Sequence, residues 1–290
     1  MQHVLAGALS GAVAAIVTRS TAHLRAFDRH RALWTRQSFR GTPVSLQEGV
    51  GVAAGLGASA LTLSQMRLPM LVAVGSSAGA GYVDDHLEER FPAQGKGLHG
   101  HLGALAHGKL TSGVIKIVVI GLGALVAAAQ MDDEPAHESH SAHFLRVLCR
   151  AGIIAGSANL VNLVDLRPGR ALKVSAAMSS IGALVDSRGA LHHESARIAC
   201  ALVASCLAVA REDLQGQSML GDLGANALGA AWGIQWAASR SRPVRAATLA
   251  AIGTLTLASE KISFSRVIDA SPLLSRIDRW GTVGTDGKAE

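Results

Sequence analysis

The distribution of charge along the chain constrains the fold more than any other feature. Nine blocks of apolar residues, rich in alanine and glycine, are separated by segments that hold most of the charged side chains. The blocks cover about residues 3–18, 50–63, 69–83, 112–130, 144–163, 170–186, 195–210, 222–240 and 245–260. A membrane-spanning helix needs about 20 residues, and the flanking turns can complete the shorter blocks. The pattern therefore predicts an all-α, polytopic integral membrane bundle of about nine transmembrane helices.

Composition argues against other classes of protein. With 49% hydrophobic and 17% charged residues, the chain is too apolar for an intrinsically disordered protein. The net charge of +6 comes without a basic patch interleaved with aromatic residues, which make up only 3% of the chain, so we expect no nucleic-acid partner. A soluble alanine-rich helical protein is the alternative, but its helices would carry charges every three or four residues, and block 50–63 carries none.

Positively charged residues give the blocks an orientation, because cytoplasmic loops are enriched in Lys and Arg. More than half of the 27 Lys and Arg residues lie in alternate loops, namely 19–49, 84–111, 164–169, 211–221 and the segment after 260. The remaining loops carry at most one each, namely 64–68, 131–143, 187–194 and 241–244. We therefore expect a plasma-membrane bundle over residues 1–260 with its N-terminus outside, followed by a cytoplasmic C-terminal tail over residues 261–290.

Four aspartates lie where apolar blocks meet these basic loops: Asp84, Asp85, Asp165 and Asp222. Two predicted crossings separate Asp85 from Asp165, and two more separate Asp165 from Asp222, so all four face the cytoplasm. A carboxylate near hydrocarbon costs roughly 2.5 to 3.5 kcal/mol, which a shared functional site would justify. The alternative is that each helix simply ends where charged residues begin.

Polar residues accompany two of these aspartates. Asn159, Asn162 and Asp165 share a broad helix face, where two amides and a carboxylate suit a hydrated cation or a sugar phosphate. Polar contacts between membrane helices are the alternative for the asparagines. Asp222 lies in Leu-Gly-Asp-Leu-Gly at the start of a block, where free amides and the helix dipole attract phosphate, although an N-capping aspartate would look the same. Oxygen ligands in ones and twos favour Mg²⁺.

These motifs occur in an order that resembles a known superfamily. The matching pieces are Arg40-Gly41-Thr42-Pro43-Val44, Gly81-Tyr82-Val83-Asp84-Asp85, Lys96-Gly97-Leu98, Asn159-x-x-Asn162-x-x-Asp165 and Leu220-Gly221-Asp222-Leu223-Gly224-Ala225-Asn226. They resemble the polyprenyl-phosphate N-acetylhexosamine-1-phosphate transferases, which include phospho-N-acetylmuramoyl-pentapeptide transferase. In a divergent member such as this chain, Pro168 stands where the family has a second aspartate, with Arg167 and Arg170 beside it.

The resemblance implies a Mg²⁺-dependent enzyme that transfers a sugar-1-phosphate from a UDP-sugar to polyprenyl (undecaprenyl) phosphate and releases UMP in cell-wall or envelope glycan synthesis. It assigns Asp222 as metal ligand and Asp84, Asp85 and Asp165 as catalytic residues. It assigns Lys96, Asn159 and Asn162 as substrate-binding residues. Arg167 and Arg170, which stand beside the lost aspartate, are added as substrate-binding residues because their charge suits a diphosphate or an acidic donor.

Two other functions stay open at this point. A non-catalytic relative would bind polyprenyl phosphate or act as a scaffold for envelope enzymes, and loss of the family's second aspartate favours it. A transporter is a more distant alternative, because no inverted repeat is visible. The sequence leaves the sugar, the lipid length and a homodimer undecided.

Overall fold

Nine helices of 14 to 25 residues form the body of the part of the chain that the structure describes. The structure is a computed structural model, and it describes residues 2–38, 41–87, 103, 111–131, 139–185 and 190–282. The long helices are α1 (Gln2–Ala22), α2 (Gln47–Ala60), α3 (Arg67–Leu87), α4 (Ser112–Ala129), α5 (His140–Val164), α6 (Arg170–Val185), α7 (Ala190–Leu214), α8 (Gly221–Ala237) and α9 (Arg242–Ser259). Each overlaps one apolar block, and 81% of the described residues are helical, so the all-α prediction is confirmed.

Within the described part of the chain, four stretches are long and apolar enough to cross a membrane: Val4–Phe27, Ser112–Ala129, His140–Val164 and His193–Leu214. The other long helices are shorter or more polar. Helix α2 has only 14 residues, which extend over roughly 21 Å and fall short of the hydrocarbon thickness of about 30 Å. The described residues thus support an all-α membrane protein with four candidate spans.

The outer surface of the bundle is also that of a membrane protein. Leu5, Leu9 and Ile16 on α1, Leu122 on α4 and Leu207 on α7 are all exposed. A soluble monomer rarely exposes contiguous apolar surface on this scale, whereas lipid tails accept it.

Helix α8 is the centre of the bundle and packs against α2, α3, α5, α6 and α7. Two glycines let neighbouring helices come close to its N-terminal turn. A Cβ atom at Gly81 of α3 would collide with the carbonyl oxygen of Asp222, and one at Gly49 of α2 would collide with the carbonyl oxygen of Leu220. These helices therefore meet α8 backbone to backbone.

A short hairpin, which the sequence analysis did not predict, joins α1 to α2. After a 3₁₀ segment (Arg25–Trp34), strands β1 (Thr35–Gln37) and β2 (Pro43–Ser45) pair in antiparallel fashion. The Ser45 N–H donates to the Gln217 carbonyl oxygen at 3.0 Å, and the Met219 N–H donates to the Ser45 carbonyl oxygen at 2.9 Å. The hairpin is thereby fixed to the segment that leads into α8.

The segment expected to be a simple C-terminal tail contains two further helices. Helix α10 (Phe264–Ala270) and helix α11 (Pro272–Arg279) pack against each other. They are attached to the rest of the protein through charged side chains at the start of α6, as described below.

Candidate functional site

The four predicted aspartates come together around the N-terminus of α8. Asp84 and Asp85 lie in the last turns of α3, Asp165 directly follows α5, and Asp222 is in the first turn of α8. Asp85 and Asp165 contact the Gly221–Leu223 turn directly, and Asp84 is connected to this turn through Lys116. Residues that are far apart in the sequence therefore form one cluster at one end of the bundle.

Asp85 caps α8 from a neighbouring helix. Its Oδ1 accepts the backbone N–H of Asp222 at 3.1 Å, and its Oδ2 accepts that of Leu223 at 2.9 Å. Amides in the first turn of a helix have no partner within the helix, so this carboxylate satisfies two of them and opposes the positive end of the dipole. The turn also requires Gly221, whose φ of 62° is unfavourable for residues with a side chain.

Asp84 and Asp222 share one cationic partner, Lys116 of α4. The Lys116 ammonium lies 3.2 Å from Asp84 Oδ2 and 3.0 Å from Asp222 Oδ2, and all three side chains are largely buried. The two carboxylates thus converge on a single positive charge. Lys116 was not among the predicted site residues, because a lysine near the start of an apolar block is typical of a solvated helix end.

Asp165 is partly buried and lies near several other acidic groups. Burial raises the pKa of Asp165 well above its ordinary value, and the negative charges of Asp213, Asp222 and Asp85 raise it further. A hydrogen bond from the Gly221 backbone opposes this rise. We expect Asp165 to hold a proton more readily than an exposed aspartate does, unless a cation enters the site.

A second pair of acids, Glu48 of α2 and Asp213 of α7, lies behind this cluster and was also missed. Both side chains are buried; the Ser218 hydroxyl donates to Glu48, and the Gly169 N–H donates to Asp213 at 2.9 Å. The two carboxyl groups interact with each other, and no other described residue donates to Glu48 Oε1 or Asp213 Oδ2. The acidic groups at this end of the bundle therefore extend beyond the four predicted aspartates.

A cavity of about 270 Å³, lined by both polar and apolar groups, opens beside these acids. Asp165, Arg167 and Asp213 contribute its charged groups, and Ser38, Thr42 and Ser218 contribute hydroxyls. The volume is near the lower end of the range for small-molecule sites. The hairpin supplies one wall, so the cavity depends on the contact between Ser45 and the segment before α8.

The two arginines predicted to bind a diphosphate are engaged with the C-terminal helices. Arg170 is buried, and its Nε and Nη2 donate to the two carboxylate oxygens of Asp278 at 2.7 and 2.8 Å. Arg167 forms a two-pronged contact with Asp269, with both distances 2.7 Å, although it also lines the cavity. Asp278 therefore occupies the Arg170 guanidinium edge that was expected to meet a substrate.

The remaining predicted substrate-binding residues are Asn159, Asn162 and Lys96. Asn162 and Asn159 are half-buried on α5, about one and two turns before Asp165, and among the described residues neither donates to the four aspartates. Lys96 lies outside the residues that the structure describes.

An apolar groove of about 490 Å³ lies next to the acidic end of α5. The groove is formed by five helices, namely α5, α6, α8, α9 and α10. Its wall includes Val161 and Val164, in the turn of α5 that precedes Asp165, and Trp232 and Trp236 of α8. Its lining is almost entirely apolar, so a hydrocarbon chain fits it better than a polar ligand does.

The donor chemistry of the site is compatible with Mg²⁺. The described residues include no group of three or more His, Cys, Asp or Glu arranged to hold a metal ion. Mg²⁺, however, is commonly bound by one or two carboxylates together with water and substrate phosphates. Asp84 and Asp222 provide such a pair, and the position of the Lys116 ammonium shows that the pair is arranged around a positive charge.

No protein-family model matches the chain, and no curated protein matches it.

Proposed function

We propose that this protein is a membrane-embedded phosphosugar transferase that uses Mg²⁺ to transfer a sugar-1-phosphate from a UDP-sugar to a polyprenyl phosphate such as undecaprenyl phosphate, with release of UMP. The single observation that carries the proposal is the convergence of Asp84 and Asp222, from two distant motifs, on one cation position. Nine crossings, an outside N-terminus and a cytoplasmic site in the plasma membrane belong to the same proposal.

The reaction is a transfer between anions. An oxygen of the lipid phosphate attacks the β-phosphorus of the donor, a new P–O bond forms, and the bond between that phosphorus and the bridging oxygen breaks, so that the electron pair leaves on UMP. The attacking oxygen is ionised at neutral pH, and the main obstacle is repulsion between the phosphates. Positioning and charge stabilisation therefore matter more than a general base.

The chain's own residues would divide this task. Asp84 and Asp222 would hold Mg²⁺, which when bound supplies positive charge to the phosphate oxygens. Lys116, displaced from between the two carboxylates, would be free to contact a phosphate. Asp85 holds the first turn of α8 in place, so that the backbone of this turn stays next to Asp222.

The two cavities match the two substrates in chemistry. The apolar groove would take the first isoprene units of the acceptor lipid, whose phosphate would then lie near the acidic end of α5. The smaller cavity, beside Asp165 and Asp213, would take part of the donor, with hydroxyls and carboxyl groups available to the sugar or nucleoside. Both cavities adjoin Asp165 or the turn before it, as transfer between their occupants requires.

The test is a turnover assay on the purified protein in lipid nanodiscs, with undecaprenyl phosphate, Mg²⁺ and a panel of UDP-sugars, scored by released UMP. We expect release with at least one donor, abolition by EDTA, and a loss of 100-fold or more in Asp222→Asn, since about 2.7 kcal/mol of charge stabilisation corresponds to that factor. Glu212→Gln, which removes the charge that faces Arg19 and, at longer range, His23, is the matched control and should keep its activity. Full activity in Asp222→Asn would contradict the metal assignment.

A non-catalytic protein that binds polyprenyl phosphate is the second candidate, and one observation favours it. Lys116 already places one positive charge between Asp84 and Asp222, so part of the negative charge of the pair is compensated without a metal. If the wild-type protein binds undecaprenyl phosphate but releases no UMP from any donor, this function replaces the first.

A further inference from the structure

Helix α11 (Pro272–Arg279) is amphipathic, but with its apolar side facing outward. Its only buried residue is Asp278, whereas Leu273, Leu274 and Ile277 are all exposed. Trp280, directly after the helix, is 75% exposed. A helix on the surface of a soluble protein buries its apolar side and exposes its charges, so this arrangement needs a different surrounding phase.

Polar contacts hold α11 in this orientation. Arg170 of α6 binds the Asp278 carboxylate through two hydrogen bonds. Lys173, one turn further along α6, donates to the carbonyl oxygens of Ile277 and Trp280 at 3.2 and 3.1 Å, which satisfies groups at the helix C-terminus that have no partner within the helix. The apolar side is therefore directed away from the protein by its own attachment.

Basic residues border the apolar side. Arg276 and Arg279 are exposed on α11, and Lys261 and Arg266 are exposed on the preceding segment and on α10. At 100° per residue, Leu273 and Ile277 lie 40° apart, and Arg276 and Arg279 fall together to one side of them. Apolar and aromatic residues beside a row of arginines are the pattern of helices that lie in the headgroup region of a membrane.

We propose that α11 lies parallel to the membrane in the interface of the leaflet next to the acidic cluster, and that it binds anionic phospholipid there. Leu273, Ile277 and Trp280 enter the acyl boundary, while Arg276 and Arg279 contact lipid phosphates. Two observations favour a lipid surface over a protein partner: the exposed apolar surface of the neighbouring helices, which already requires lipid, and the positive charge beside the apolar side. This proposal does not depend on the proposed enzymatic activity.

The test is nitroxide scanning in nanodiscs, after replacement of Cys149, Cys200 and Cys206 in a background that is shown to remain folded. Labels are placed at Leu273 and Ile277 on the apolar side, at Arg276 and Arg279 on the basic side, and at Gln217, an exposed loop residue, as the control. Collision rates with oxygen, which concentrates in the bilayer, and with a water-soluble nickel chelate are then compared. All five positions are exposed, so the labels should not disturb the fold.

We expect labels at 273 and 277 to collide more with oxygen, and labels at 276, 279 and 217 to collide more with the nickel chelate. We also expect the label at 277 to lie deeper in nanodiscs with phosphatidylglycerol than in pure phosphatidylcholine, and the double variant Arg276→Gln, Arg279→Gln to lose this difference. Preferential collision with nickel at 273 and 277 would overturn the proposal, as would shielding of both labels from both reagents, which indicates a covering protein surface. Equal depth in both lipids would refute the anionic component.

Discussion

Lys116 is the residue on which the state of the acidic cluster depends most. Its ammonium holds Asp84 and Asp222 together, and a divalent cation that uses the same two carboxylates must displace it. Lys116 and the metal are therefore expected to compete for the two carboxylates. Nothing in the sequence around Lys116 indicates this, because its partners come from two other helices.

Replacement of Lys116 by Met makes this competition measurable. Without the ammonium, Asp84 and Asp222 repel each other, and we expect the protein in EDTA to lose about 2 kcal/mol of stability, less than the 3 to 5 kcal/mol typical of a fully buried pair. Added Mg²⁺ should raise the melting temperature of Lys116→Met more than that of the wild type, because no ammonium competes. Thermal unfolding in detergent with and without Mg²⁺ checks this.

The control for this variant is Arg19→Gln, which breaks an exposed ion pair with Glu212. We expect it to change stability by at most about 1 kcal/mol and to leave the Mg²⁺ response as in the wild type. A Lys116→Met protein whose melting temperature ignores Mg²⁺ would rule out a metal at the Asp84 and Asp222 pair.

At the scale of helices, the site depends on how closely α3 approaches α8. Gly81 lies against the Asp222 and Leu223 backbone, and this contact brings Asp84 and Asp85, one turn later on α3, to the first turn of α8. The sequence shows Gly81 only as part of a motif. Its packing role follows from the crossing of the two helices, which no local pattern specifies.

Gly81→Ala and Gly79→Ala form a matched pair on the same helix. A methyl group at Gly81 collides with backbone, which cannot move aside as a flexible side chain can, so we expect a loss of about 2 to 4 kcal/mol and a displaced α8. At Gly79 nothing lies within 4 Å, and alanine should be neutral or stabilise the helix by up to about 1 kcal/mol. The melting temperatures of the two purified variants measure this difference. Equal melting temperatures would contradict the close packing of α3 against α8 at Gly81.

The attachment of α11 to α6 should depend on pH in a defined direction. Burial raises the pKa of Asp278, but hydrogen bonds and charge from Arg170 outweigh burial and hold it below its usual value. A carboxylate with a lowered folded-state pKa stabilises the attachment at pH values above its unfolded pKa of about 3.9, and this contribution is lost as the pH falls through the folded value. We therefore expect α11 to stay attached from neutral pH down to about pH 4 and to detach below that.

Nitroxide mobility at position 277 in detergent measures this attachment. Asp278→Asn should detach α11 already at neutral pH and abolish the pH dependence. Asp269→Asn, which removes the more exposed partner of Arg167, should have a much smaller effect. If mobility in the wild type rises between pH 8 and pH 6, a different group controls the attachment.

At the scale of the whole molecule, periodic features were predictable and contacts between distant segments were not. The nine apolar blocks correspond to the nine long helices of the described residues, since burial in lipid or protein requires apolar residues in either case. Crossing parity predicts that Asp84, Asp85, Asp165 and Asp222 share one end of the bundle, and the structure brings the four aspartates into one cluster. Among the described residues only four stretches reach the length and hydropathy of a span, because helices such as α8 are enclosed by protein and tolerate glycine and polar residues.

The parts that were missed all depend on tertiary context. The hairpin before α2 is held by the segment around Gln217, and the C-terminal helices are held by Arg170 and Lys173. In the sequence, Glu48 and Asp213 look like ordinary residues at helix ends, because their proximity arises only from the tertiary fold. Ion pairs across helices leave no periodic signal in a single sequence.

In the proposed function, Asp84 and Asp222 bind a divalent cation at one end of the bundle. Mn²⁺, which can replace Mg²⁺ at oxygen ligands, allows a direct measurement by electron paramagnetic resonance of free and bound ion during titration of the purified protein in nanodiscs. We predict saturable binding of one Mn²⁺ per chain, competition by Mg²⁺, tighter binding in Lys116→Met, loss in Asp222→Asn and retention in Glu212→Gln. Absence of saturable binding in both wild type and Lys116→Met, or unchanged binding in Asp222→Asn, would contradict the claim.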